Sequence, residues 1–269
     1  MKKVAYYHVY LTDDYGTWSS IVMEQLTLLQ NSGLADELDL LNINLVSNPG
    51  SKTVAFHDLL KTFSVSNKVL LTNFDTPFVH DDDMLSNINS DNAVTENVTM
   101  RQIWNDCQNN DMQVLYFHTK GVTSVKNLLE KNNAYKYAVY YHWRQFLNWG
   151  VIEKWQTCVN NLYFNDVAGV NYKTEPSKHF SGGFWWANSN YIKRLPDPST
   201  LDWWYNIKAK SNDNWLKTAS DRFRDEQWLC SLDDVRIYNI NTPKNVDAAS
   251  NILPRSIYKD DIELMWHPV

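Results

Sequence analysis

The sequence predicts an α/β protein whose mostly parallel central sheet is flanked by helices. Segments of strand composition alternate with segments of helical period through the first half of the chain, which is the pattern of parallel strands joined by helical crossovers. A length of 269 residues fits one large domain that buries a full core without disulfides. We therefore expect a single domain spanning residues 1–269.

The opening elements are each predicted by a local pattern. Val4–Tyr10 is an apolar run typical of a buried strand. Thr17–Asn31 carries apolar residues at helical spacing, and Gly33 follows where a glycine commonly ends a helix. Two further strands are predicted at Leu40–Val46 and Lys68–Phe74.

The later elements continue this alternation and then become less regular. Val98–Cys107 has helical period, and Met112–Phe117 has the composition of a buried strand. The further helices predicted are Asn133–Trp149, which Gly150 closes, Ile152–Leu162 and Ser220–Leu232. The short strands predicted are Val167–Val170, Phe184–Ala187 and Val235–Ile240. The segment Val79–Thr95, rich in Asp, Asn and Ser, predicts a mobile loop.

Charge and composition exclude several classes of protein. Lys and Arg number 25 against 31 Asp and Glu, so a net charge of −6 provides no basic field for nucleic acid or anionic lipid. The N-terminus lacks the apolar region of a signal peptide, and no run approaches the roughly 18 apolar residues of a membrane span. The three cysteines have no CxxC spacing, which favours a reducing compartment. We expect a cytoplasmic protein with no transmembrane segment and no nucleic-acid partner.

Polar side chains follow the ends of the predicted strands. Open α/β sheets bind ligands at the carboxyl ends of their strands, so we expect ligand contacts there. The residues at these ends are Thr12, Asp13, Asp75, His118, Thr119 and Lys120. A mixture of carboxylates, hydroxyls and a cation suits an anionic ligand with many hydroxyl groups, and a nucleotide sugar is one such ligand.

The run from His179 to Asn188 joins two glycines to three large aromatic residues. Glycines let the backbone approach a ligand closely, and aromatic faces are surfaces on which sugars stack. The chain holds 12 Trp and 15 Tyr, many beside Asn and Asp, which favours carbohydrate contact. The alternative is a core strand with a bulge at its glycines. The residues predicted to contact an acceptor are His179, Ser181, Gly182, Gly183, Phe184, Trp185 and Trp186.

Several segments resemble glycosyltransferases of the GT-A type found in polysaccharide-building gene sets of bacteria and some large DNA viruses. The matching segments are Asn31–Leu34, Val114–Val122, His142–Arg144, Asp166–Asn171 and His179–Ala187. The resemblance implies a GT-A-like fold with a Rossmann-like, nucleotide-sugar-binding half at 1–122 and an acceptor-binding, catalytic half at 123–269. It implies a hexosyl- or pentosyltransferase that takes a nucleotide sugar, expected to be a UDP-sugar, and a saccharide or glycan acceptor. If the chain is viral, it would act in the host cytoplasm.

The end of the fourth predicted strand departs from the metal-dependent pattern of that family. An Asp-x-Asp there usually lets Mn²⁺ or Mg²⁺ bridge carboxylate and diphosphate, whereas this chain has His118, Thr119 and Lys120. We expect Lys120 to neutralise phosphate oxygens, helped by backbone N–H groups at Gly121. Metal use is therefore open. Asp81–Asp83 matches Asp-x-Asp literally, but its place in a loop favours a solvated acidic turn.

Two other charged groups are candidates for chemistry. Arg144 either forks onto a phosphate or covers apolar surface with its stem. If the reaction inverts, a carboxylate must serve as general base. We predict Asp225 for this role, with Glu226 and Asp221 as alternatives; a solvated helix with paired charges is the other interpretation of this cluster. A noncatalytic lectin-like module and an inactive transferase relative remain as alternative functions.

Overall fold

One seven-stranded sheet forms the centre of the protein. The computed structural model describes residues 1–47, 52–75, 96–123, 128, 131–219, 223–240 and 247–259. The sheet order is β3-β2-β1-β4-β8-β5-β9, and β6 pairs with β7 in a separate hairpin. The strands are β1 (Lys2–Leu11), β2 (Leu40–Ser47), β3 (Val69–Asp75), β4 (Met112–His118), β5 (Val167–Gly169), β6 (Tyr172–Lys173), β7 (His179–Phe180), β8 (Trp185–Asn188) and β9 (Ile237–Asn239).

The pairing within the sheet is mostly parallel. Strand β1 pairs in parallel with β2 and β4, β2 with β3, and β5 with β9. Strand β8 runs antiparallel to both of its neighbours, β4 and β5. Helices cover the sheet, so the predicted α/β class with a mostly parallel sheet is confirmed. The division into two functional halves at residue 122 stays a prediction.

Most strands are followed along the chain by a helix, and these helices flank the sheet. They are α1 (Tyr15–Asn31), α2 (Leu34–Glu37), α3 (Lys52–Leu60), α4 (Asn97–Asn109), α5 (Ala134–Asn148), α6 (Trp155–Asn161), α7 (Ser189–Ile192), α8 (Asp202–Lys210), α9 (Asn214–Thr218) and α10 (Arg224–Trp228). The 3₁₀-helices Ser64–Lys68 and Arg255–Ile257 are short. None of the helices in the described ranges is both long and apolar enough to cross a membrane.

Two helix boundaries differ from the prediction. Gly150 does not end a helix, because α5 continues through a π-helical turn, Trp149–Glu153. A Cβ at Gly150 would lie 2.3 Å from Val170 Cγ1, so the glycine is needed for close packing instead. The helix predicted at Ser220–Leu232 is shorter and spans Arg224–Trp228 in α10. Gly33 does follow the end of α1, with a left-handed φ of +74°.

The core has two parts, one on each face of the sheet. One packs α1 and α5 against the sheet, and the other packs α4 and α8 against the opposite face. Strand β8 contributes to both because successive side chains of a strand point to opposite faces. Trp186 belongs to the first core and Trp185 to the second. The sheet therefore presents its carboxyl-end residues from a rigid, two-sided support.

Candidate active site

The sequence-predicted cation meets one of the sequence-predicted carboxylates at the carboxyl end of β4. Lys120 Nζ lies 3.4 Å from Glu226 Oε1 on α10, although the two residues are 106 positions apart. The same ammonium lies 4.3 Å from the centre of the Trp143 ring, within the range of a cation–π contact. The side chains of Lys120 and Glu226 are 14% and 22% exposed, so both can be reached from outside the protein.

A tight backbone turn positions Lys120. Thr119 N donates to His8 O, and Lys120 N donates to His118 O at 2.8 Å. Gly121 has a φ of +86°, a left-handed conformation that glycine adopts without a steric penalty. Thr119 Oγ1 accepts a hydrogen bond from Tyr10 N at 3.1 Å, which ties the turn to the neighbouring strand β1.

Arg144 supports this turn and does not face a ligand. Its guanidinium forks onto the carboxylate of Glu24, with Nε 3.0 Å from Oε1 and Nη2 3.1 Å from Oε2. Its third contact runs from Nη1 to Lys120 O at 3.2 Å. The side chain is buried. The prediction that Arg144 binds a phosphate is therefore corrected, because its guanidinium binds the carboxylate of Glu24.

Two amides extend the network beneath the turn. Asn148 Nδ2 donates to Glu24 Oε1 at 2.9 Å. Gln25 Nε2 donates to His118 O at 2.9 Å and to Asn148 Oδ1 at 3.0 Å. The residues from His118 to Lys120 are therefore held from behind by side chains of α1 and α5.

Glu96 holds the imidazole of His118. His118 Nδ1 lies 2.8 Å from Glu96 Oε1, and Tyr116 Oη donates to Glu96 Oε2 at 2.7 Å. Burial alone would raise the pKa of the Glu96 carboxyl, but His118, followed by His8 and Lys120, lowers that pKa below its usual range. Both Glu96 oxygens are occupied, and the carboxylate stays ionised at neutral pH.

His8 lies behind this pair in a solvent-free position. Its Nδ1 is 2.9 Å from Thr99 Oγ1, which fixes the ring against α4. Burial lowers the pKa of His8 to about 4, because desolvation disfavours the charged imidazole. His8 is therefore neutral at pH 7, and its role is in packing.

The predicted catalytic carboxylates occupy different environments. Asp225 is 5% exposed, and Asn97 Nδ2 donates to its Oδ1 at 3.3 Å. Arg224 Nε lies 3.6 Å from the same oxygen. Glu226 is the more exposed of the two and faces Lys120. Asp221, the other candidate, lies outside the described residues.

Of the two glycines, Gly183 lies against the Glu96–His118 pair and Gly182 lies against Leu147. A Cβ at Gly183 would lie 3.7 Å from Glu96 Oε2 and 3.9 Å from His118 Cε1. A Cβ at Gly182 would lie 2.5 Å from Leu147 Cδ1. Both glycines have positive φ, +98° at Gly182 and +77° at Gly183, so a side chain at either position would strain the backbone. The backbone at Gly183 therefore approaches the candidate site closely, and contact of the two glycines with an acceptor stays a prediction.

The aromatic part of the run is core, which corrects the prediction of a sugar-binding wall. Phe184 and Trp186 are 0% exposed and Trp185 is 2% exposed, so no ring face is available for stacking. Trp186 Nε1 donates to Val151 O at 2.8 Å, which satisfies its one polar group inside the protein. The three residues are buried because β8 lies between β4 and β5 and is covered on both faces.

The remaining residues of the run are also engaged within the protein. His179 is buried, with Nδ1 2.8 Å from Ser177 O. Ser181 is partly exposed, and its N donates to Asn171 O at 3.0 Å. Contact of His179 and Ser181 with an acceptor stays a prediction.

Thr12 and Asp13, which follow β1, contact residues at the starts of α1 and α3. Thr12 is buried, and its Oγ1 donates to Asp14 O at 3.3 Å. Asp13 forms an ion pair with Lys52 of α3. Asp75 is the last residue of β3, and its side chain lies outside the description, as do Asp81–Asp83. Donor contact by Thr12, Asp13 or Asp75 stays a prediction.

Two residues of the site were not predicted from the sequence: Glu24, which binds Arg144, and Glu96, which contacts His118. Glu24 is one of many polar residues on a helix, and no local signal distinguishes it. Glu96 follows a polar stretch and precedes α4, where an acidic residue is common. Within the described ranges, no three His, Cys, Asp or Glu side chains are grouped as metal ligands would be.

A separate cleft of about 510 Å³ shares no lining residue with this site. It lies between α8, the β6–β7 loop and the segment that follows α10. Its cations have acidic or carbonyl partners: Lys178 donates to Asp233 O at 2.9 Å, and Arg194 pairs with Asp234. The cleft is therefore not part of the candidate site.

The chain belongs to the family described as Domain of unknown function (DUF8361), which matches residues 6–256. No curated protein matches the chain. It is similar to the solved structure of an active-site mutant of LgtC, with 9% identity, a TM-score of 0.42 and coverage of 94% of this chain and 85% of that one. It is also similar to a "putative nucleotide-diphospho-sugar transferase" from Desulfovibrio desulfuricans, with 10% identity, a TM-score of 0.34 and coverage of 89% and 80%. Both likenesses are distant.

Proposed function

We propose that the protein is a glycosyltransferase that moves a sugar from a nucleotide-sugar donor to a saccharide or glycan acceptor. The observation that carries the proposal is the contact between Lys120 and Glu226 at the carboxyl end of β4. A cation suited to phosphate and a carboxylate suited to proton transfer, predicted from separate parts of the chain, lie within 3.4 Å of each other. Both are held at the edge of an open α/β sheet where ligands bind.

Lys120 is the proposed partner of the donor diphosphate. The Arg144–Glu24 pair and Gln25 fix the backbone of its turn, while its ammonium has a long contact to Glu226 and a cation–π contact to Trp143. A phosphate can therefore compete for the ammonium without dismantling the turn. A charge-assisted hydrogen bond of this kind contributes roughly 1.5–3 kcal/mol, or at least tenfold in affinity. A UDP-sugar is the donor we propose.

Glu226 is the proposed general base, in preference to Asp225. Spacing on the helix favoured Asp225, but its burial and its contacts with Asn97 and Arg224 leave it poorly placed to take a proton from an acceptor. Glu226 is more exposed, and release of Lys120 to a diphosphate would free its carboxylate. A general base requires a carboxylate within hydrogen-bond reach of the acceptor hydroxyl, as an inverting transfer needs.

The loop at Gly182 and Gly183 is the proposed boundary of the sugar site. A Cβ at Gly183 would come close to Glu96 and His118, while the neighbouring aromatic rings are buried. Sugar contact here would therefore use backbone groups and Ser181, and not the indoles. The residues at the end of β4 supply positive charge to the donor directly, and addition of Mn²⁺ or Mg²⁺ to the assay measures whether a metal contributes as well.

Calorimetry with UDP, GDP and their sugars tests the proposal. We expect one of these nucleotides to bind, and Lys120→Ala to weaken its binding tenfold or more. Lys61→Ala is the matched control, because Lys61 is an exposed lysine that pairs with Asp58 on the surface. The proposal fails if no nucleotide binds, or if Lys120→Ala and Lys61→Ala bind equally well.

Transfer assays separate an enzyme from a binding module. We expect Glu226→Gln to retain nucleotide affinity and to lose transfer by about 10²–10⁴-fold, while Asp225→Asn loses less. If Asp225→Asn is the inactive variant, the base is Asp225. If the wild-type protein binds saccharides but neither transfers nor hydrolyses any donor, it is a binding module.

A further inference from the structure

One ring nitrogen of His118 has no partner in the part of the chain that the structure describes. Its Nδ1 contacts Glu96, but its Nε2 is buried and has no hydrogen-bond partner among the described residues. Buried polar atoms are nearly always hydrogen-bonded, so a bound ligand is a candidate partner for this nitrogen at the end of β4.

The contacts of Glu96 determine which nitrogen of His118 carries a proton. Glu96 accepts from Tyr116 Oη through one oxygen and faces His118 Nδ1 through the other. An ionised carboxylate can only accept, so Nδ1 bears a hydrogen whether the imidazole is neutral or charged. In the doubly protonated imidazole, Nε2 is an N–H donor as well.

The imidazole ring of His118 lies close to Phe184 and to the glycine loop. Phe184 packs edge-on against the imidazole, with ring centroids 5.0 Å apart. Gly183 covers the Cε1 edge, where its missing Cβ would lie 3.9 Å away. A residue with a side chain at this position would fill the space next to the ring and strain the backbone as well.

We propose that Glu96 is a positioning residue that holds His118 so that Nε2–H donates to a phosphate oxygen of a bound nucleotide. His118 and Lys120, two residues apart on the same turn, then act together on the diphosphate. This inference rests on the proposed function and extends it, because neither Glu96 nor a protonated Nε2 was needed for that proposal. His8 and Lys120 also act electrostatically on Glu96, and Asp225 and Glu226 of α10 act on Tyr116, the other partner of Glu96.

Nitrogen NMR of the imidazoles, with UDP as the probe, tests the inference in the intact protein. We expect the His118 Nε2 signal to be that of a protonated nitrogen and to shift when UDP is added. His57 serves as internal control because it is exposed on α3, and its signals should stay unchanged. A His118→Asn variant assigns the peak.

A pair of carboxylate variants gives a second readout. Glu96→Gln removes the charge but keeps the shape, and should weaken UDP binding about tenfold and lower the protonation of Nε2. Glu37→Gln, which removes an exposed partner of Lys3, should leave both unchanged. If Glu96→Gln does not fold, the NMR titration of the wild-type protein with UDP tests the inference by itself.

The outcomes separate this inference from the proposed function. If UDP binds in a Lys120-dependent manner while the His118 signals do not move, or Nε2 is unprotonated in the complex, the inference is overturned and the proposed function stands. If no nucleotide binds at all, both are overturned.

Discussion

The Arg144–Glu24 pair predicts a large loss of stability when Arg144 is changed to Met. Methionine keeps the apolar stem of the arginine but leaves the Glu24 carboxylate without its forked partner, and frees Lys120 O as well. Removing one member of a buried ion pair costs about 3–5 kcal/mol. Because the Glu24 side chain is 20% exposed, we expect the lower end of this range, about 3 kcal/mol.

Urea unfolding at constant pH measures this loss directly. The midpoint should fall while the slope with denaturant stays the same, since the surface exposed on unfolding does not change. At roughly 2–4 °C per kcal/mol, the melting temperature should fall by about 6–12 °C.

A surface pair provides the matched control. Arg194 contacts Asp234 with the arginine 48% and the aspartate 65% exposed, and pairs of this kind contribute about 1 kcal/mol or less. Arg194→Met should therefore shift the midpoint little. Equal losses in Arg144→Met and Arg194→Met would refute the reasoning that burial makes the difference. The double variant Glu24→Gln, Arg144→Met should lose less than the sum of the two single changes, because the pair is removed as a unit.

Three further predictions concern stability. First, the free energy of unfolding should fall by about 3 kcal/mol between pH 6.5 and about 4. The reason is that His8 takes up a proton near pH 6.5 in the unfolded protein but only near pH 4 in the folded protein. Urea titrations at pH 7 and pH 4.5 measure the fall, which should be smaller in His8→Gln. Second, Gly182→Ala should lower the free energy of unfolding more than Gly33→Ala. Both changes strain a positive φ by about 1–2 kcal/mol, but a Cβ at Gly182 also collides with Leu147, whereas a Cβ at Gly33 has open space. Equal urea midpoints in the two variants would contradict the predicted collision. Third, Trp186→Ala should destabilise the protein by about 3–5 kcal/mol, while the folded fraction keeps its nucleotide affinity, as expected of a core residue. Loss of affinity without loss of stability would show that Trp186 belongs to the binding site.

Local pattern alone determined the elements of the sheet. Apolar runs of strand length predicted β1 to β4 to within about two residues at each end. The rule that ligands bind at the carboxyl ends of strands pointed to His118 and Lys120, and the structure places the Lys120 ammonium beside Glu226 of α10. The strand predictions are confirmed because side-chain period and backbone propensity act over a few neighbouring residues, whereas ligand contact by His118 and Lys120 stays a prediction.

The partners of these side chains depended on the tertiary structure. Arg144 could reach a phosphate or a carboxylate, and only the packing of α1 against α5 brings Glu24 to its guanidinium from 120 residues away. Trp185 and Trp186 could face a ligand or the core, and the position of β8 between β4 and β5 buries both. Glu96 carries no local sign of its contact with His118, which arises because the residue that precedes α4 lies against the end of β4. The conformation of each segment is set by its neighbours in sequence, whereas the partner of a charged or aromatic side chain is set by which distant segment is packed against it.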